Sequence, residues 1–169
     1  MRVLWRTIVL LLLGAVVVFL QRALAEEQAK IAKPAPAFVL RDIEDREVKL
    51  SQFDGKAILI SFWATWDEPC RKQIQQLIEL QQHYGDNEIA VVGVSLDEKG
   101  PEPVKAFAKE HKLNHPILMA NAKVIQDFGG LDAIPTTFLI DRNHNIIQKY
   151  TGLTQTNTLE AEVKAVLKR

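Results

Sequence analysis

Apolar runs and helical periodicities alternate along the chain and predict its elements in order. Phe38-Val39-Leu40 and Val48-Lys49-Leu50 flank a charged turn at 41–47, which predicts a hairpin of edge strands. Ala57 to Trp63 is almost continuously apolar and follows Asp54-Gly55-Lys56, so it is expected to be a central strand buried on both faces. Ile74, Leu77, Ile78 and Tyr84 keep helical spacing and predict a helix over about 68–84. Ile89 to Ser95 is a second buried strand. Pro101-Glu102-Pro103 opens a helix marked by Val104, Phe107 and Ala108. Ile117-Leu118-Met119 is a short strand, and Val124, Ile125 and Phe128 form a short helix closed by Gly129-Gly130. Thr137–Ile140 and Ile146–Tyr150 pair across the turn 141–145. Leu159, Val163, Val166 and Leu167 mark a last amphipathic helix, with Asn157 and Glu160 at capping-box spacing. Strands joined through helices should lie parallel and the closing hairpin antiparallel, which makes the class α/β with a mixed sheet.

The first 25 residues follow a different rule. Arg2 and Arg6 precede 14 uncharged residues, Thr7 to Leu20, and Ala23 and Ala25 then form a small-x-small site before Glu26-Glu27. That order is the pattern of a secretory signal. The competing reading is an uncleaved anchor. A helix of that length spans about 21 Å, short of the roughly 30 Å hydrocarbon core. Residues 1–25 are therefore expected to be a signal peptide or N-terminal membrane anchor, and cleavage would start the mature chain at Glu26. Residues 26–37, with Pro34 and Pro36, read as a linker. Residues 38–169 form the folded domain. Either form of the leader places that domain outside the cytoplasm, and membrane contact is expected only through residues 7–20 if the leader is uncleaved.

Composition removes several classes of function. The 169 residues are 47% hydrophobic and 25% charged, a globular balance for one domain. Lys+Arg 21 against Asp+Glu 21 leaves no basic footprint for nucleic acid. Cys70 is the single cysteine, so an intramolecular disulfide, a cysteine-based zinc site and an iron–sulfur centre are excluded. His83, His111, His115 and His144 have no further ligand at metal-site spacing, and neither a metal nor an organic cofactor is expected. An odd cysteine in an exported protein is unusual, because oxidising compartments pair theirs.

Two segments carry a resemblance. Phe62-Trp63-Ala64-Thr65-Trp66-Asp67-Glu68-Pro69-Cys70 resembles the active-site turn of the thioredoxin fold, normally F-W-A-x-W-C-x-P-C. Ile134-Pro135-Thr136-Thr137-Phe138-Leu139-Ile140-Asp141 resembles that fold's cis-proline strand. The helix and short strand inserted between Ser95 and Ile134 resemble the extracytoplasmic TlpA/ResA-like branch, a redoxin relative of the AhpC/TSA proteins. The resemblance spans roughly residues 34–168. It implies a thioredoxin-like fold, with a central mixed sheet flanked by helices, an N-terminal β-hairpin and a central helix–strand insert. It also implies thiol-disulfide exchange and a cis bond before Pro135. The groove would be formed by Trp66, Glu68, Pro69, Ile134, Pro135 and Thr136, where an extended peptide or extracytoplasmic thiol protein adds as a strand.

The departures from that pattern bear on function. Family members use an exposed cysteine that attacks and a second that resolves the mixed disulfide. By resemblance Asp67 stands at the first position and Cys70 at the second. The buried acid of thioredoxins corresponds to Ser61, and the acid of ResA-like proteins three residues past the second cysteine corresponds to Gln73. One sulfur cannot cycle between dithiol and disulfide. Asp67 can instead cap the helix through the Cys70 N–H, since Pro69 has none, or act as acid or base toward Cys70 or a ligand. Cys70 shares the helical face of Ile74, Leu77 and Ile78 and is expected to be a buried, unreactive thiol. The rival is a one-Cys peroxidase or thiol-transfer enzyme using Cys70, in the manner of the peroxiredoxin T-x-x-C motif. The leading expectation is an exported thioredoxin-like binding module without a dithiol cycle, acting by peptide recognition or single-Cys mixed-disulfide chemistry.

Overall fold

The computed structural model describes residues 33–168. Its contacts divide the chain between Lys33 and Pro34, and the unit from Pro34 onward carries the fold. The proposed leader, 1–25, and the first part of the proposed linker, 26–32, lie outside the described residues. The rest of that linker is tied to the domain, because Ala35 N–H donates to His144 O at 2.7 Å.

Among the described residues there are eight strands and four α-helices, in the expected sequence except for β1, a two-residue strand within the expected linker. They are β1 (Lys33–Pro34), β2 (Val39–Arg41), β3 (Glu47–Lys49), β4 (Ala57–Trp63), α1 (Glu68–Tyr84), β5 (Ile89–Ser95), α2 (Pro101–Glu110), β6 (Ile117–Met119), α3 (Ala122–Asp127), β7 (Thr136–Ile140), β8 (Asn145–Thr151) and α4 (Thr156–Leu167). The main sheet has the order β1-β8-β7-β4-β5-β6. β4 runs parallel to β5 and β5 to β6, while β4–β7 and β7–β8 are antiparallel. The unbroken apolar runs of β4 and β5 have a simple cause: both strands are buried at every position in the middle of the sheet.

Alternate residues of these strands feed opposite layers. Ile58, Ile60, Phe62, Val92 and Val94 face the N-terminal hairpin and α3, where they meet Phe38, Leu40, Val124 and Phe128. Leu59, Val91 and Leu139 face α1 and α4, against Leu77, Leu80, Leu159 and Val163. Trp63, Cys70, Ile74, Val104, Phe107 and Ile117 fill the space beneath α1 and α2.

Two local expectations are corrected. The hairpin β2–β3 is a separate two-stranded sheet, joined to the main one through a bridge between Asp42 and Leu118. Its second strand ends at Lys49 because Leu50–Phe53 turns into a 3-10 segment that buries Leu50 and Phe53. The capping box at Asn157 and Glu160 does not form. α4 starts two residues earlier, with Gln155 as N-cap and no side-chain cap, and Glu160 instead takes Lys164 Nζ at 2.7 Å. A lysine one turn on offers that carboxylate a charged partner.

Candidate functional site

The register of the central strands builds the site. Phe62 on β4 lies opposite Thr136 on β7, so the chain leaving β4 and the chain entering β7 meet at one end of the sheet. The turn 64–67 and the segment Ile134–Pro135 therefore sit at the same rim. The Ile134–Pro135 bond is cis. Pro135 is buried and its carbonyl accepts the Gly152 N–H at 2.8 Å, while the Thr136 hydroxyl donates to Ala133 O at 2.6 Å. Ile134 is half-buried against the cluster holding Trp63 and Cys70.

Helix α1 begins at this rim for reasons visible in its first residues. Asp67 is extended, with φ −96° and ψ 119°, and its Oδ2 accepts the Cys70 N–H at 2.9 Å. That bond satisfies one of the helix's open donors. Pro69, in the first turn, loses nothing by lacking an N–H. Glu68 and Pro69 are exposed, and Glu68 meets Lys72 at 3.7 Å. At the far end Gly85, at φ 70°, donates to Gln81 O at 2.9 Å and closes the helix with a backbone other residues resist.

Cys70 is fully buried, Trp63 is fully buried and Trp66 is 68% exposed. Burial pushes the Cys70 thiol up to about 12, and hydrogen bonding to the Asp67 carboxylate pushes it the same way. The helix N-terminus favours a thiolate, but desolvation and the nearby negative charges prevail. A thiol of this kind is a weak nucleophile at neutral pH.

The remaining polar groups beneath α1 are neutral and mostly satisfied. Ser61 Oγ and Thr137 Oγ1 lie 3.1 Å apart. Gln73 is buried, and its Oε1 accepts the Thr154 N–H at 2.9 Å, which ties the loop after β8 to α1. His115 is buried with Nδ1 3.2 Å from Asn114 Oδ1, and burial lowers its pKa to about 4. Its Nε2 and the Trp63 Nε1 have no hydrogen-bond partner. Among the described residues no group of three or more His, Cys, Asp or Glu is placed to hold a metal.

Sequence reasoning missed Asp97. Its carboxylate accepts the Thr65 N–H at 3.0 Å, the Thr65 hydroxyl at 2.6 Å and the Ser95 hydroxyl at 2.8 Å. The only hint in the sequence was an acid two residues past the end of a buried strand.

A mixed sheet of this order, a helix starting at the Trp66–Cys70 turn and a cis-proline beside it together define a thioredoxin-like α/β protein. A profile described as the AhpC/TSA family matches residues 31–149, and the chain belongs to that family. It is 34% identical to the thiol-disulfide oxidoreductase ResA of Bacillus thuringiensis subsp. konkukian, over 98% of this chain and 96% of the relative. It is 29% identical to the protein of the same name from Geobacillus thermodenitrificans, over the same shares. The crystal structure of a putative thiol:disulfide interchange protein DsbE from Chlorobium tepidum superposes with a TM-score of 0.74 at 27% identity. That match covers 80% of this chain and 96% of the other.

Proposed function

We propose that this chain is an exported thioredoxin-like protein of the thiol-disulfide oxidoreductase family. It binds an extended peptide or thiol protein at the rim formed by Trp66, Asp67, Ile134 and Pro135 and does not run a dithiol cycle. One observation carries the reading: the only sulfur-bearing thiol of the chain is buried, with its pKa pushed up to about 12. A single thiol can form one mixed disulfide, but no second thiol is present to release it. Asp67 then occupies the place of the family's attacking cysteine and acts as a helix cap. Peroxidase chemistry at Cys70 would need a thiolate at neutral pH, which burial and the Asp67 carboxylate both oppose.

The groove side of the reading is supported by chemistry that survives without the dithiol. Trp66 offers a large exposed aromatic surface at the rim, and such groups dominate contact energies in recognition sites. Export rests on the residue order of the first 25 positions. No helix among the described residues is long and apolar enough to cross a membrane. Intact mass of protein recovered from the envelope reads the leader directly: a chain starting at Glu26 is expected, and retention of 1–25 would mean an anchor.

The binding claim is tested by fluorescence titration of the full-length chain with a labelled dodecapeptide of alternating leucine and serine. Saturable binding is expected that weakens about tenfold or more in Trp66→Ala, the scale of an aromatic hot spot, and persists in Cys70→Ser. Equal affinity in Trp66→Ala would remove the groove.

A further inference from the structure

Trp66 is the most exposed large apolar side chain at the site, yet the residues on either side of it are both held by hydrogen bonds. Strands β4 and β5 end side by side, with Trp63 opposite Ser95, so the turn 64–67 and the loop after Ser95 leave the sheet together. Leu96 N–H donates to Trp63 O at 2.8 Å. Asp97 then reaches back over the turn. Its Oδ2 accepts the Thr65 N–H at 3.0 Å and its Oδ1 accepts the Thr65 hydroxyl at 2.6 Å. The carboxylate is itself braced, because the Ser95 hydroxyl donates to Oδ2 at 2.8 Å and the Asp97 N–H donates to Ser95 Oγ at 3.1 Å. From the helix side, Arg71 Nε–H donates to Thr65 O at 2.9 Å.

All three polar atoms of Thr65 are thus engaged. On the other side of Trp66, Asp67 is fixed by its bond to the Cys70 N–H. An indole that is 68% exposed adds little to the core, so core packing does not account for pinning both of its neighbours. Bonds to a charged acceptor are the strong kind. A contact group that is already ordered surrenders less freedom when a partner docks.

We propose that Asp97 is a positioning residue for recognition: it clamps Thr65 so that Trp66 is presented in a fixed orientation to an extended partner chain. The inference rests on the groove reading above. Asp97 acts through Thr65 and touches no partner itself. Arg71 assists from the opposite side, and Ser95 holds the carboxylate in the rotamer that reaches Thr65.

The test compares the full-length chain with Asp97→Ala, Asp97→Asn and Trp66→Ala. Three quantities are read: exchange protection of the Thr65 amide, the order parameter of the Trp66 indole N–H by nitrogen-15 relaxation, and affinity for the leucine–serine dodecapeptide. Asp97→Ala is expected to lose Thr65 protection, lower the Trp66 order parameter and weaken the peptide by about threefold to tenfold, the scale of one side chain left to be ordered on binding. Asp97→Asn, which keeps a carbonyl acceptor, is expected to recover part of both the order parameter and the affinity. A lost Thr65 tie with unchanged Trp66 order and unchanged affinity overturns the proposal, since Asp97 would then serve the turn alone. If Trp66→Ala binds the peptide as well as the parent, the groove reading fails. The Trp66 order parameter in Asp97→Ala still decides whether the clamp exists. If Asp97→Ala does not fold, the same readouts in Thr65→Val, which removes only the hydroxyl tie, decide it.

Discussion

The Cys70 backbone N–H donates to Asp67 Oδ2 at 2.9 Å, and the same carboxylate faces the Cys70 thiol and raises its pKa. One group therefore both starts helix α1 and opposes ionisation of the only thiol of the chain. The two effects pull apart under mutation. Asp67→Ala removes the cap and is expected to cost about 1 kcal/mol, as N-cap losses do. Asp67→Asn keeps a capping oxygen and should cost only a fraction of that. Both changes are expected to lower the Cys70 pKa, while burial, the larger cause, keeps it above the ordinary thiol value. Urea unfolding reads the first effect, and the pH dependence of reaction with a thiol reagent reads the second.

His115 should make the fold sensitive to acid. Burial lowers its pKa to about 4, from an ordinary value of 6.5. In the unfolded chain the imidazole takes up a proton as pH falls below its ordinary value, while the folded chain resists until about 4. Stability from this group is present above the unfolded pKa and is lost as pH falls through that interval. His115→Gln is expected to flatten this part of the stability curve relative to the parent, measured as the difference in urea midpoints across the interval. Identical slopes in both proteins would mean that His115 is not buried neutral.

Gly93 on β5 permits the close packing of Trp63 and Ile117 beneath α1 and α2. A Cβ at that position would lie 2.8 Å from Ile117 Cδ1 and 2.9 Å from Trp63 Nε1. Trp63 is fully buried and cannot swing away, so Gly93→Ala must displace packed side chains. Overpacking of this kind costs about 1–3 kcal/mol. A Tm fall of several degrees is expected, and an unchanged Tm would mean that this layer is loosely packed.

Much of the fold was legible because each strong signal was local. The runs Ala57–Trp63 and Ile89–Ser95 announced two central strands, and both are buried throughout. Asp67 and Pro69 announced a helix start, and Asp67 caps it. What was illegible depends on residues far apart in the chain. The Thr65–Asp97 tie joins positions 32 apart, and the Gln73–Thr154 bond joins positions 81 apart. Gln81 accepts the Val91 N–H at 2.7 Å through its side chain, where β5 extends beyond β6, and no pattern of apolar residues announces such a substitute for a strand partner. The supposed cap at Asn157 failed because a short polar stretch offers several equivalent starts, and the Glu160–Lys164 pair consumed the carboxylate that a capping box needs.

Catalytic turnover tests most directly whether the chain runs a dithiol cycle. The full-length chain is incubated with a protein disulfide substrate and an external dithiol, and product is followed over many equivalents of protein. Parent and Cys70→Ser are expected to match the uncatalysed rate, because the mixed disulfide from one thiol has no internal partner to resolve it. Asp67→Cys, which restores a second thiol at the helix start, is the positive control and is expected to turn over. Multiple turnovers by the parent at a rate abolished in Cys70→Ser would contradict the account.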